Sequence, residues 1–333
     1  MIKKYILFFL LLILIVLYFK IYYKNKSYYS IQESQNIIQN ENYINHFNKL
    51  DKHLRKCGSN VKECQDFYKS NVLELNNIEK TMLDKVVHNL YKILDERLSY
   101  IFKYIKFIKV SNNIENSMPH TRGRAIVFSK NYFSQMLDKY KINKDFLFED
   151  INLIRLISHE QFHIFQRFNK SKFEKFFYDN WNFKKLKSEL PNELKEIVRT
   201  NPDALPNNNW VFHVNKNKYI LPLCVYNSKY SENINDTSNI YIELIKESNN
   251  TYKFPNLKKQ ILEKKLLIDN KKFNDFFGYK GANNYHPNEI SASLFELIVL
   301  EYSKHKKKHI LYKTNNQKEY SEAYILLKEF IFN

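Results

Sequence analysis

The chain has 333 residues, of which 44% are hydrophobic and 16% aromatic, with only 4 Gly and 7 Pro. That is enough apolar side chain for one large domain or two small ones, and too little Gly and Pro for collagen-like segments or long flexible linkers. The formal net charge is +18, yet the lysines are scattered and no Arg-rich helix, Cys/His finger spacing or RNP-like aromatic motif accompanies them, so specific nucleic-acid binding is not expected.

Residues 1–26 begin the chain with an unbroken apolar run from Tyr5 to Phe19 that resumes at Ile21. This is long enough to predict a membrane-spanning helix, with Lys20 able to reach the headgroups. No Ala, Gly or Ser precedes Ser27, and a cleaved signal peptide needs small residues before its cut. The segment therefore reads as an uncleaved, single-pass signal anchor that places the protein at a membrane. Lysines flank it on both sides and leave its orientation open.

Residues 27–103 are polar at first and predict a helical stalk or accessory layer. Ile78, Met82, Val86, Leu90, Ile93 and Leu94 mark an amphipathic helix near its end. Cys57 and Cys64 are close enough in sequence to pair, but with Cys224 the count is odd, and three free thiols fit equally well.

Residues 104–333 predict one further domain. Tyr104–Val110 and Ala125–Phe128 have strand composition, the second following a Gly-containing turn. Tyr132–Tyr140 reads as a helix, and Phe173–Val198 as mostly helical. A break at Thr200–Asp203 leads to strands at Trp210–Val214, Tyr219–Tyr226 and Ile240–Lys246, then a helical patch at Lys258–Asp269. Pro287 fits the first position of a last helix running to about His305, with His286 before it as a cap.

Between these elements lies His159-Glu160-Gln161-Phe162-His163, inside the apolar helical segment Ile151–Phe168. Two imidazoles four residues apart on a helix point the same way and can hold one metal ion. The glutamate between them stands beside that ion, as in zinc sites that activate water. His159 and His163 supply two ligands, and Glu160 is the candidate general base.

A hydrolytic zinc site keeps a third protein ligand and one open position. The metzincin continuation is excluded, because its later positions hold Gln166 and Asn169. Glu289 is the preferred third ligand, set in the first turn of the helix that Pro287 opens; Glu193, Glu196 and His286 are the rivals. Glu296, two turns further along the same face, is placed to hold the other nitrogen of a ligand histidine. Tyr285, His286 and His120 are candidates for stabilising a developing oxyanion.

The order of elements and the segment Leu156 to Arg167 resemble the zincin metallopeptidases of the gluzincin type, and His286-Pro287-Asn288-Glu289-Ile290 is similar to the third-ligand helix of some such proteins. The spacing from His163 to Glu289 is much longer than in the thermolysin-like arrangement. The resemblance implies an α+β zincin-like fold, helix-rich with a small mixed sheet, here joined to an N-terminal transmembrane helix. It also implies that the strand before the motif helix, Ala125–Phe128, is the sheet edge that pairs with extended substrate. The expected activity is peptide-bond hydrolysis on a peptide or protein substrate with one Zn2+ ion. The alternatives are an inactive zincin-like binding protein, and a membrane-tethered interaction protein in which the motif is accidental.

Overall fold

The computed structural model describes residues 26–40, 42–204, 208–248, 251–278, 284–303 and 321–333. Three short helices come first: α1 (Ile31–Asn40), α2 (Lys49–Arg55) and α3 (Val61–Ser70). Helix α2 is started by a reciprocal cap between Asn48 and Asp51, and α3 by the Asn60 side chain. Cys57 and Cys64 form a disulfide between them, and Cys224 is a buried thiol. Helix α4 (Asn77–Ile93) follows strand β1 (Val72–Leu73) and buries Met82, Val86, Leu90 and Ile93.

The first sheet runs in the order β1–β2–β4–β3, with β2 at Phe107–Val110, β3 at His120–Arg122 and β4 at Ala125–Ser129. Strands β2 and β4 are parallel, and β1 and β3 flank them antiparallel. All five residues of β4 are buried, as a strand between two others requires. The hairpin from β3 to β4 turns at Gly123, whose φ of 54° suits a residue without Cβ.

Helices α5 (Lys130–Ile142), α6 (Ile151–Phe168) and α7 (Lys170–Asn180) come next. Then a second sheet forms an antiparallel meander in chain order: β5 (Phe183–Lys185), β6 (Trp210–Asn215), β7 (Lys218–Tyr226), β8 (Thr237–Ser248) and β9 (Thr251–Lys253). A one-turn helix α8 (Asn192–Lys195) lies between β5 and β6. Helices α9 (Leu257–Glu263), α10 (Lys271–Phe277), α11 (Pro287–Glu301) and α12 (Glu322–Phe332) complete the described fold.

Several expectations are corrected. The architecture is α+β, but with two separate sheets rather than one small mixed one. The expected transmembrane segment lies outside the described residues except for Lys26; no helix among the described residues is long and apolar enough to cross a membrane. The expected spanning helix is therefore no part of the described fold. Residues 27–103 are no stalk: β1 pairs with β2, Tyr28 bridges to Phe107, and α4 shares one apolar core with α6 and α11. The stretch Phe173–Val198 breaks into α7, β5 and α8, because Trp181 and Phe183 turn inward against Phe177, Phe212 and Phe277. Finally, β4 is central, and β3 is the edge strand beside it.

A buried charged cluster joins the N-terminal helices to the rest. Arg55 bonds Asp51 at 2.6 Å and Glu115 at 3.3 Å, and donates to the Thr200 carbonyl at 2.8 Å. Asp51 also accepts from the Thr200 hydroxyl at 2.6 Å and the Tyr226 hydroxyl at 2.8 Å. Tyr43 and Tyr68 donate to Glu115. Removing one member leaves its opposite charge buried and unsatisfied. We expect Asp51→Ala to lower the unfolding free energy by about 3–5 kcal/mol in urea titration. A loss below about 1 kcal/mol would show that the cluster adds little to folding.

Candidate metal centre

Helix α6 starts where the Asp150 side chain accepts from the Leu153 backbone N–H at 3.1 Å. His159 to Ile164 are all buried, so the motif lies on a helix with no solvated face at this point. Helix α11 packs against it. Phe162 stacks on Phe295 with ring centroids 4.3 Å apart. Pro287 occupies the first turn of α11 and His286 caps it.

This packing brings three ligand atoms together. His159 Nε2 and His163 Nε2 are 3.1 Å apart, and each lies 3.5 Å from Glu289 Oε2. Zinc bound tetrahedrally at its usual distances of about 2.0–2.1 Å would separate such donors by roughly 3.3 Å. Two imidazoles and a carboxylate are a donor set that zinc favours. The residues present therefore fit the ion.

The outer atom of each donor is also engaged. His159 Nδ1 donates to Glu296 Oε1 at 2.8 Å, and Glu296 is held by Arg155 at 2.9 Å. His163 Nδ1 donates to Gln166 Oε1 at 2.9 Å, while the Gln166 amide donates to the Ser291 hydroxyl at 2.6 Å and the Asn288 carbonyl at 3.1 Å. Asn201 donates to Glu289 Oε1 at 2.8 Å. With both Nδ1 atoms donating, an imidazole that gives up its second proton turns an Nε2 lone pair inward.

Electrostatics favour a cation at this point. Burial disfavours charge on Glu289, but His163 and hydrogen bonds from both imidazoles hold its carboxyl well below the usual range. Burial likewise opposes charge on His159 and His163. Glu289 and Glu296 nevertheless raise the His159 pKa, and Asp203 and Glu289 raise that of His163. The Glu160 carboxyl is pushed up to about 7 by burial, against the pull of His159 and His163. Its Oε2 is buried without a hydrogen-bond partner.

Glu160, His159, His163 and Glu289 line a cavity of about 80 Å³, together with Glu115, Met118, Pro119, His120, Arg199, Asn201, Pro202 and Asp203. Neither Arg155 nor Arg167 pairs with Glu160; they bond Glu296 and Asp203, each at 2.9 Å. The arrangement thus offers a cation site, a carboxylate without a partner beside it, and room for a small group.

Other expected residues fall elsewhere. Glu193 and Glu196 are exposed and outside the cavity wall. His286 spends both ring nitrogens, Nδ1 accepting from the Asn288 N–H at 3.1 Å and Nε2 donating to the Asn208 carbonyl at 2.9 Å. It is a helix cap, neither a ligand nor an oxyanion donor. Tyr285 is buried outside the cavity wall, its hydroxyl accepting from Asn201 at 2.6 Å. His120 does line the cavity, carried there by the edge strand β3. Its Nδ1 lies 3.0 Å from the Met118 carbonyl, which can only accept. Burial and the neighbouring Arg122 lower its pKa to about 4. The neutral ring therefore keeps a lone pair on Nε2, which has no partner. It is a hydrogen-bond acceptor, not the oxyanion donor expected.

Sequence reasoning missed Gln166, Asn201, Asp203 and Arg199. For Gln166 alone a signal existed, three residues beyond His163 on the same helix face. The chain matches no protein-family model, no curated protein and no solved structure, so the class of this site rests on its geometry.

Two outcomes test the centre. Because zinc needs neutral imidazoles and those of the metal-free site have raised pKa values, zinc binding should release protons near pH 7 and weaken as pH falls. Calorimetry in two buffers of different ionisation enthalpy measures this, and identical heats would contradict it. Glu296→Gln should weaken zinc binding by roughly 10- to 100-fold in chelator competition.

Proposed function

We propose that the protein is a zinc-dependent peptidase. The observation that carries this reading is one cavity holding both the converging atoms His159 Nε2, His163 Nε2 and Glu289 Oε2 and the unpartnered Glu160 Oε2. A zinc ion on these three ligands would supply Lewis acidity for a water and for the carbonyl it attacks.

The protein's own groups supply the rest. Glu160 takes the proton of the attacking water and returns it to the departing amine, a task suited to a carboxylate beside the ion whose Oε2 has no other hydrogen-bond partner. Glu296 and Gln166 keep the two imidazoles in the ligating tautomer and orientation. Asn201 fixes Glu289 through its outer oxygen. Asp203, bonded to Arg167 at 2.9 Å, closes the wall beside Glu160. The substrate is a peptide, and one zinc ion is the cofactor.

Glu160→Gln should retain stoichiometric zinc, measured by metal analysis of the purified chain, and lose about 10²- to 10⁴-fold in peptide turnover. Full turnover in this variant would remove Glu160 from the chemistry. Absence of zinc from both variant and parent would remove the peptidase reading itself.

A further inference from the structure

The acids around the centre are nearly all matched by cations. Asp51 is paired with Arg55, Glu115 with Arg55 and Arg122, Asp203 with Arg167, and Glu296 with Arg155. Glu289 and Glu160 face the site proposed for the divalent ion. Arg199 is the exception. It lines the same cavity, yet no carboxylate pairs with it among the described residues.

Burial and Arg55 oppose its charge and Glu115 favours it, but no carboxylate among the described residues bonds it. One guanidinium nitrogen contacts Met118 Sδ at 3.6 Å, Cys224 lies beside it, and its Nε is buried with no hydrogen-bond partner. Burial pushes the Cys224 thiol pKa up, so that neighbour carries no charge. The Arg199 backbone is fixed by its N–H bond to the Cys224 carbonyl at 3.0 Å. This partly buried guanidinium has no bonded anion, and its planar fork matches a carboxylate.

We propose that Arg199 is the seat for the C-terminal carboxylate of the substrate, so that the enzyme removes the last residue of short peptides. This rests on the peptidase reading of the adjoining centre. In a C-terminal residue the scissile carbonyl carbon and the carboxylate carbon are three bonds apart, roughly 3–4 Å. Arg199 and the three ligand residues line one cavity of about 80 Å³, which such a unit would span. The reaction is a hydrolysis: water oxygen bonds to the carbonyl carbon, the C–N bond breaks, and the proton travels by way of Glu160 to the free amine. His120 Nε2, an acceptor in the same wall, suits an N–H of the bound peptide.

The test uses the full zinc-loaded chain and one tetrapeptide made as a free acid and as a C-terminal amide. The free acid should lose its terminal residue, and the amide should react with a kcat/KM roughly 10- to 100-fold lower. Arg199→Met should erase that difference, and Arg199→Lys should keep part of it, with zinc retention verifying that each variant folds. Equal cleavage of acid and amide by the parent would overturn the seat while leaving the peptidase reading intact. So would an Arg199→Met variant that slows both alike, which indicates a role at the reacting oxygen. Calorimetric binding of the two peptides to the zinc-loaded Glu160→Gln chain separates the remaining case. A preference for the acid that vanishes on adding Arg199→Met supports the seat even if the parent hydrolyses neither peptide, an outcome that would sink only the peptidase reading. Equal binding overturns the seat.

Discussion

The candidate centre depends on how one helix face is held against another. Helix α6 carries the imidazoles and α11 carries the carboxylates, and neither alone completes a cation site. The Phe162–Phe295 stack sets their separation. The two acids on α11 then engage His159 from both ends of its ring, Glu296 at Nδ1 and Glu289 at Nε2. Residues seven apart on a helix share a face across two turns, about 10 Å. One imidazole thus fixes the axial register of α11 against α6, and Gln166, bonded to Ser291 and to the Asn288 carbonyl, fixes it again two turns on.

A second constraint comes from outside the helices. The segment 199–203 supplies Arg199, Asn201 and Asp203 to the cavity, and it has almost no regular structure of its own. It is held in place by charge. Thr200 sits among Asp51, Arg55 and Tyr43, all from the first described elements, while Arg199 is tied to β7 through Cys224. Such a buried ionic cluster contributes less to net stability than apolar packing would, but it allows few alternative placements of the loop.

Much of this was legible in the residues, and the limits have physical causes. The motif helix, the Pro287 start and the Glu289–Glu296 face follow from local rules of spacing and capping. The meander strands were visible because a polar turn at Asn215–Asn217 separates apolar runs. What failed was anything decided by tertiary contact. Polar residues near the start resemble a solvated layer, and nothing local reveals that Asp51 and Arg55 are buried together. Two short strands, β3 and β4, do not declare which is the edge; that is set by β2 pairing in parallel with β4. His120 was recognisable as a candidate, but its role turned on a backbone carbonyl two residues away that fixes the tautomer. Asn201 and Arg199 lie in a segment whose composition signals only a break.

The separation of the ligands along the chain has a consequence for biosynthesis. The two imidazoles leave the ribosome well before Glu289, and Asp51, which holds Thr200 of the pocket loop, is itself bonded by Tyr226, which also comes later than the motif. A nascent polypeptide therefore owns half a cradle, with too few donors to retain a catalytic ion against cellular competitors. Hydrolytic competence, on the reading proposed above, would arise only when a late helix docks on an earlier one, so an unfinished or misassembled copy is inert by construction.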